Sequence, residues 1–304
     1  MNNKKLSLFI LSIALIVFPS NESTAQRKSR SDEFSEFNTI EANDCFNIIL
    51  RSADEYAVDW TVSEDVSDYV EVYVVGKVLH LSFEKKSLPK EVKKKYKGKN
   101  APKMVLDAIV YAPTISRIVL SDKATLKSED EELHAEDFSI SLSGTSVLEN
   151  IKVISKTVTV EQTKASKAEM DIISESLVAT TSNSSSLKLN FDSGTLTLTS
   201  NGSSKILAKG NSTATATNSQ NSSSITLSGR TDNIDIQSIG SSKQDVSGFA
   251  ARKVYTKLSG LSEVIVNPSD ILSVDLKGAK LYFMNDPVIE IVKVENGTLK
   301  HYEK

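Results

Sequence analysis

From Ile115 onward the chain alternates apolar and polar residues in short runs, and the runs recur. Thr195-Leu196-Thr197-Leu198, Ile234-Asp235-Ile236 and Ser273-Val274-Asp275-Leu276 each precede a small-residue triplet, whereas Ile206-Leu207-Ala208, Ile225-Thr226-Leu227 and Val264-Ile265-Val266 each follow one. A period of two places alternate side chains on one face, so each run predicts a short strand with one buried side. The triplets, of the kind Gly144-Thr145-Ser146 and Ser222-Ser223-Ser224, have their third members at positions 146, 166, 186, 204, 224, 242, 262 and 280. The steps are 20 or 18 residues, averaging about 19, and this mixture predicts small bulges at alternating corners. A unit of that length holding two strands cannot bury its own apolar face. Stacked on its copies it forms a continuous core in which equivalent strands pair in parallel. Each coil is then a parallel crossover, for which the right-handed sense is strongly preferred. The predicted fold class is all-β: a right-handed parallel β-helix, or solenoid.

The rest of the chain is read against this repeat. Positions 69–83 have the β-branched and aromatic content of a hairpin turning at Val75-Gly76-Lys77. Near the other end, 288–295 and 298–302 flank Asn296-Gly297, a strong short hairpin turn, and predict a terminal β-hairpin. Both hairpins are read as caps, because a solenoid must shield its end strands from edge-to-edge association. The predicted organisation is a signal peptide over 1–25, a flexible leader over 26–36, an N-terminal β region with a Lys-rich loop over 37–114, the solenoid over 115–287, and a C-terminal hairpin cap over 288–304. In 193–231, 26 of 39 residues are Ser, Thr, Asn or Gly, a composition that suits a disordered linker. The Leu/Ile alternation and the repeat phase persist through it without a proline, so it is read as solenoid.

The N-terminus bears on location. Lys4 and Lys5 precede an apolar run from Leu6 to Phe18, and Ser23-Thr24-Ala25 supplies small residues before a cleavage point at Gln26. Export is expected, to the periplasm, the outer surface or the medium, with no transmembrane segment after cleavage. Cys45 is the only cysteine, so an internal disulfide is excluded; it also lies too far from the apolar run to carry a lipid, so the chain is not read as a lipoprotein. The net charge of −3 argues against a nucleic-acid partner.

The layout resembles the bacterial DUF2807 family, the putative auto-transporter adhesin head domain. The likeness rests on Phe37-Asn38-Thr39-Ile40-Glu41-Ala42, on Phe46-Asn47-Ile48-Ile49-Leu50, and on the hairpin over 70–83 with its Val-x-Gly-x-Val-Leu-x-Leu ending. Val110-Tyr111-Ala112-Pro113-Thr114-Ile115-Ser116-Arg117-Ile118 then leads into the small-residue coils. It spans roughly 37–304. The resemblance implies an exported β-helical protein whose usual assigned role is adhesion. The resemblance does not extend to self-translocation, since no membrane-barrel pattern follows the solenoid.

Candidate chemistry is sparse. His80, His134 and His301 are isolated in sequence, and no Gly-rich phosphate loop or Gly-x-Ser-x-Gly elbow occurs. No cofactor or metal is expected. Parallel β-helices often carry polysaccharide lyases and glycosidases, which need converging carboxylates or an acidic Ca²⁺ site. The richest acidic run, Glu129-Asp130-Glu131-Glu132, sits in a coil longer than its neighbours and is the candidate loop for that alternative. Opposed to it is a basic segment over 85–103, with nine Lys and only Glu91 as an acid. Within it Lys93, Lys94, Lys95 and Lys97 are the candidates for contact with an anionic surface. The preferred function is a non-catalytic binding, adhesion or structural module of the cell envelope, whose partner is a cell-surface glycan or an envelope protein.

Overall fold

The computed structural model describes residues 26–129 and 132–302; the segment read as a signal peptide lies outside them. The alternation becomes a stack of about ten turns set about 19 residues apart, with 69% of the described residues in strands. Its N-terminal part comprises β1 (Arg27–Glu33), β2 (Thr39–Ala42), β3 (Asn47–Ser52), β4 (Ala57–Ser63), β5 (Val70–Val75), β6 (Val78–Phe83), the helix α1 (Lys90–Lys95), β7 (Leu106–Ala112), β8 (Arg117–Leu120) and β9 (Thr125–Ser128). Longer elements follow, most carrying a whole coil: β10 (Leu133–Leu142), β11 (Val147–Gln162), β12 (Lys167–Thr181), β13 (Ser186–Ser200), β14 (Lys205–Asn221), β15 (Ser224–Gly240), β16 (Lys243–Gly260) and β17 (Glu263–Lys277). The stack ends in β18 (Lys280–Phe283), β19 (Val288–Glu295) and β20 (Thr298–His301).

Two sheets result. One runs β1, β4, β7, β3, β9, then the first halves of β11 to β17, then β18 and β20. The other runs β5, β6, β2, β8, then the second halves of β10 to β17, then β19. Between them lie the inward residues of each run, such as Leu196, Leu198, Ile234 and Ile236, all buried.

The tight corner of each coil depends on one left-handed residue. Asp44, Asp122, Gly144, Lys164, Asn183, Gly202, Asn221, Gly240, Gly260, Gly278 and Asn296 stand at successive corners with φ between 52° and 81°. Gly, Asn and Asp tolerate this region best. Two residues on, a small side chain turns inward: Ser166, Ser185, Ser204, Ser223 and Ser242 are buried. The Ser204 hydroxyl donates to the Asn201 carbonyl at 2.7 Å, Ser185 to Ser182 at 2.9 Å, and Ser242 to Ile239 at 3.0 Å, so each closes its own corner. Where Ser and Thr also replace apolar inward residues, they form a network: Thr217 and Ser219 engage the Gln244 side chain, and Ser219 meets Ser238 at 2.9 Å. Burial is tolerated because these groups find partners.

Four expectations are corrected. The coil period is a uniform 19 residues from Lys167 through Ser186, Lys205 and Ser224 to Lys243, not an alternation of 20 and 18. The triplets over 184–186 and 222–224 place Ser185 and Ser223 inward rather than their third members, and three consecutive serines hide that offset. The stack also starts well before position 115, because β2 and β3 already pair in parallel with β8 and β9. Residues 26–36 are not a loose leader: β1 pairs antiparallel with β4, Arg30 lies 5.5 Å over the Trp60 ring, and the Trp60 indole donates to Asp32 at 2.8 Å. Finally, β19 and β20 do not pair as a hairpin. They lie parallel on β17 and β18 as one further coil, because Asn296 takes the same left-handed corner as its predecessors. The 69–83 hairpin is present as β5–β6, with Gly76 and Lys77 both at positive φ as its right-handed twist requires. The N-terminal end is thus covered by antiparallel strands, whereas β19 leaves Val288 and Ile291 65% and 52% exposed.

One column shows how register governs packing. Phe191, Gly210, Gly229 and Phe249 are ladder partners on consecutive coils. With two glycines between them, the two rings lean together to 6.4 Å between centroids. Gly229 has φ 122°, and a Cβ there would collide with the Gly210 carbonyl oxygen. Gly229→Ala is therefore expected to lower stability by about 2–4 kcal/mol in urea unfolding, whereas the exposed Lys205→Ala stays within about 0.5 kcal/mol.

Candidate functional site

The basic segment is ordered by what lies under it. Leu88 is buried, and Val92 and Tyr96 pack partly buried against the core, so α1 lies along the covered end of the stack. Pro89 precedes its first residue, which suits a helix start. Asp65, in the turn before β5, fastens the other end: it accepts from the Lys95 ammonium at 2.8 Å and from the Tyr96 hydroxyl at 2.6 Å. Lys95 also stands 5.3 Å from the Tyr96 ring centre.

Beside α1 is a groove of about 920 Å³. Its apolar part is made by Leu88, Tyr96, Ala101, Pro102 and Met104. Lys85, Lys86, Lys93, Lys97, Lys99 and Lys103 also line it, and no carboxylate does. Lys85 reaches Asp44 at 3.3 Å, and the Lys93 ammonium donates to the Lys86 carbonyl at 2.7 Å. Lys86, Lys97, Lys99 and Lys103 form no ion pair among the described residues. Of the four lysines singled out from sequence, Lys93 and Lys97 face this groove. Lys95 is a structural partner of Asp65, and Lys94 is exposed outside the groove. The remaining groove lysines were visible as part of the basic run, but nothing local distinguishes them from Lys94; only the fold gathers them.

Cys45 also lines the groove. Burial, the neighbouring Asp44 charge and a hydrogen bond to Asp44 push its thiol up to about 11, so it is protonated at neutral pH. Cys45 itself stands in the turn between β2 and β3 and is half-buried.

The acidic candidates are engaged with neighbouring coils. Glu129 pairs with Arg51 at 2.8 Å and Glu132 with Lys152 at 2.8 Å, the latter bond holding the Glu132 carboxyl below its ordinary value. Asp130 and Glu131 lie outside the described residues. No cluster of three or more His, Cys, Asp or Glu side chains suited to a metal occurs among the described residues. His134 lies 3.6 Å from Glu132, His80 stacks on Tyr73 at 4.8 Å, and His301 meets the Asn285 carbonyl at 3.1 Å, so the three histidines stay apart.

The Asp65 clamp has a pH signature. Burial raises its pKa, but the hydrogen bonds from Lys95 and Tyr96 outweigh this and hold it below the ordinary value. A depressed native pKa contributes stability that is complete above the unfolded value of about 3.9 and is lost as pH falls through the native one. Hydrogen exchange over 90–95 is expected to accelerate in Asp65→Asn at neutral pH, and the wild type is expected to approach the variant's rates as pH falls below about 4.

No helix among the described residues is long and apolar enough to cross a membrane. No curated protein matches the chain in sequence. Among solved structures it is similar to a putative adhesin from Parabacteroides distasonis ATCC 8503 (16% identity, TM-score 0.50, covering 91% of this chain and 98% of that one). It is also similar to a putative lipid binding protein from the same organism (14%, 0.48, 91% and 97%) and to a putative adhesin from Parabacteroides merdae ATCC 43184 (16%, 0.45, 91% and 97%). At such identities the likeness concerns the fold alone. The sequence profile of DUF2807, described as putative auto-transporter adhesin, head GIN domain, matches residues 36–217 and 170–287, and the chain belongs to that family.

Proposed function

We propose that this is an exported, non-catalytic binding module of the cell envelope that attaches to an anionic surface polymer through the lysines at its covered end. The observation that carries this reading is the groove with six ammonium groups and no carboxylate in its lining. Elsewhere on the stack, lysines such as Lys152, Lys156 and Lys188 lie against acids one coil away, at Glu132, Glu136 and Glu169. Among the described residues only Lys85 of the six groove lysines has an acid partner; Lys93 donates to a backbone carbonyl, and Lys86, Lys97, Lys99 and Lys103 are free to meet phosphate, sulfate or uronate groups. The adhesin description of the family agrees with a binding role, and the pairing of Glu129 and Glu132 with cations gives no support to a glycosidase there.

Because exposed charges are screened within about 8 Å at physiological salt, attachment is expected to be salt-sensitive. Replacing Lys86, Lys97, Lys99 and Lys103 by Gln is expected to weaken binding to immobilised dextran sulfate at least tenfold at 0.15 M salt. Unchanged retention of that variant would sink the assignment. Export has its own check: mass spectrometry of the envelope fraction is expected to find a mature N-terminus at Gln26, and an intact N-terminus on a cytoplasmic protein would refute it.

A further inference from the structure

We infer that the groove beside α1 takes an anionic amphiphile with a single hydrocarbon chain, the chain lying on the apolar floor and the charged head within the lysines. This rests on the proposal that the lysines are the attachment surface, and it names what they hold. A polymer recognised by charge alone needs only an exposed basic face. Here the ammonium groups stand around a cleft whose other walls are the Tyr96 ring, Ala101, Pro102 and Met104, with Leu88 buried behind. Lysine stems extend naturally along apolar surface while their heads reach water, so such a rim leaves the floor open to a hydrocarbon chain and sets the charge at its mouth. The volume of about 920 Å³ lies within the usual span of small-molecule sites. Complementarity fixes the sign of the head: six cations and no acid line the cleft, and among the described residues only Lys85 of the six has an ion pair, with Asp44. A cationic head would meet repulsion without compensation, and a neutral or zwitterionic head, with no net charge, would forgo most of the attraction.

The test is titration calorimetry of the chain from Gln26 with dodecyl phosphate below its micelle concentration, beside dodecyl maltoside and inorganic phosphate. Dodecyl phosphate is expected to bind at least tenfold more tightly than dodecyl maltoside, which has the same chain and no charge, and at least a hundredfold more tightly than phosphate, which has no chain. Ala101→Asn combined with Met104→Gln changes the floor without altering charge. It is expected to weaken dodecyl phosphate at least fivefold while retention on dextran sulfate stays within twofold, with unchanged circular dichroism as the control for folding. Equal affinity for dodecyl phosphate and inorganic phosphate, or an unaffected floor variant, would overturn the inference. Binding to dextran sulfate without binding to dodecyl phosphate would overturn this inference and leave the polymer reading standing. Loss of both in the native chain would remove both.

Discussion

Backbone hydrogen bonds between equivalent strands of successive coils, held in parallel register, are the constraint on which everything else rests. The register sets a 19-residue step from Lys167 to Lys243, and that step keeps inward positions above inward positions. Since side chains alternate strictly, a slip of one residue would turn Leu196 and Leu198 outward and Thr197 inward. Register is thus protected by the burial of every coil at once. The corners serve it: a left-handed residue reverses the chain in the same place each time, and a buried serine closes the turn onto its own backbone.

That regularity has consequences for chemistry. A ladder places like positions in line, and this chain uses the alignment to pair opposite charges across coils, as at Glu169 and Lys188. Such pairs are exposed and contribute little stability each. A groove lined by lysines without a carboxylate stands at the N-terminal end, where the repeat gives way to antiparallel strands, a 3-10 turn and α1. Irregular structure on a rigid support is where binding surfaces commonly arise. The groove has that origin: its lysines come from α1 and the connections on either side of it, and its floor from apolar residues of the same segment, of which Leu88, Tyr96 and Met104 pack with the core.

The two ends differ in how they treat the sheet edge. At the N-terminal end β1 and β5 are edge strands, and β1 carries Arg27, Lys28, Arg30, Asp32 and Glu33 with no apolar residue. A charged outer strand discourages pairing with other chains. At the C-terminal end β19 continues the column of Leu272, Val274 and Leu276 with Ile289, Val292 and Val294, which remain partly in solvent.

The amino-acid sequence by itself determined the local rules. Which residues of each run face inward is legible from the alternation of Leu, Ile and Val with polar residues, because that pattern depends only on the pleat of one strand. The corners are legible as Gly, Asn or Asp beside small residues, because left-handed backbone is a property of single positions. The polar stretch over 193–231 is readable as solenoid for the same reason. Which strand lies beside which was decided by the tertiary structure, since backbone N–H and C=O groups pair without regard to side-chain identity. That is why β1, which has no apolar residue, docks on β4 through its backbone and the Arg30–Trp60–Asp32 contacts, and why β19 and β20 add a coil where an Asn-Gly turn suggested a hairpin. The groove belongs to the same class. Its basic run is visible in one dimension, but the division of labour between Lys95, bound to Asp65, and Lys97, free at the cleft, depends on a partner 30 residues away and exists only once the stack has closed.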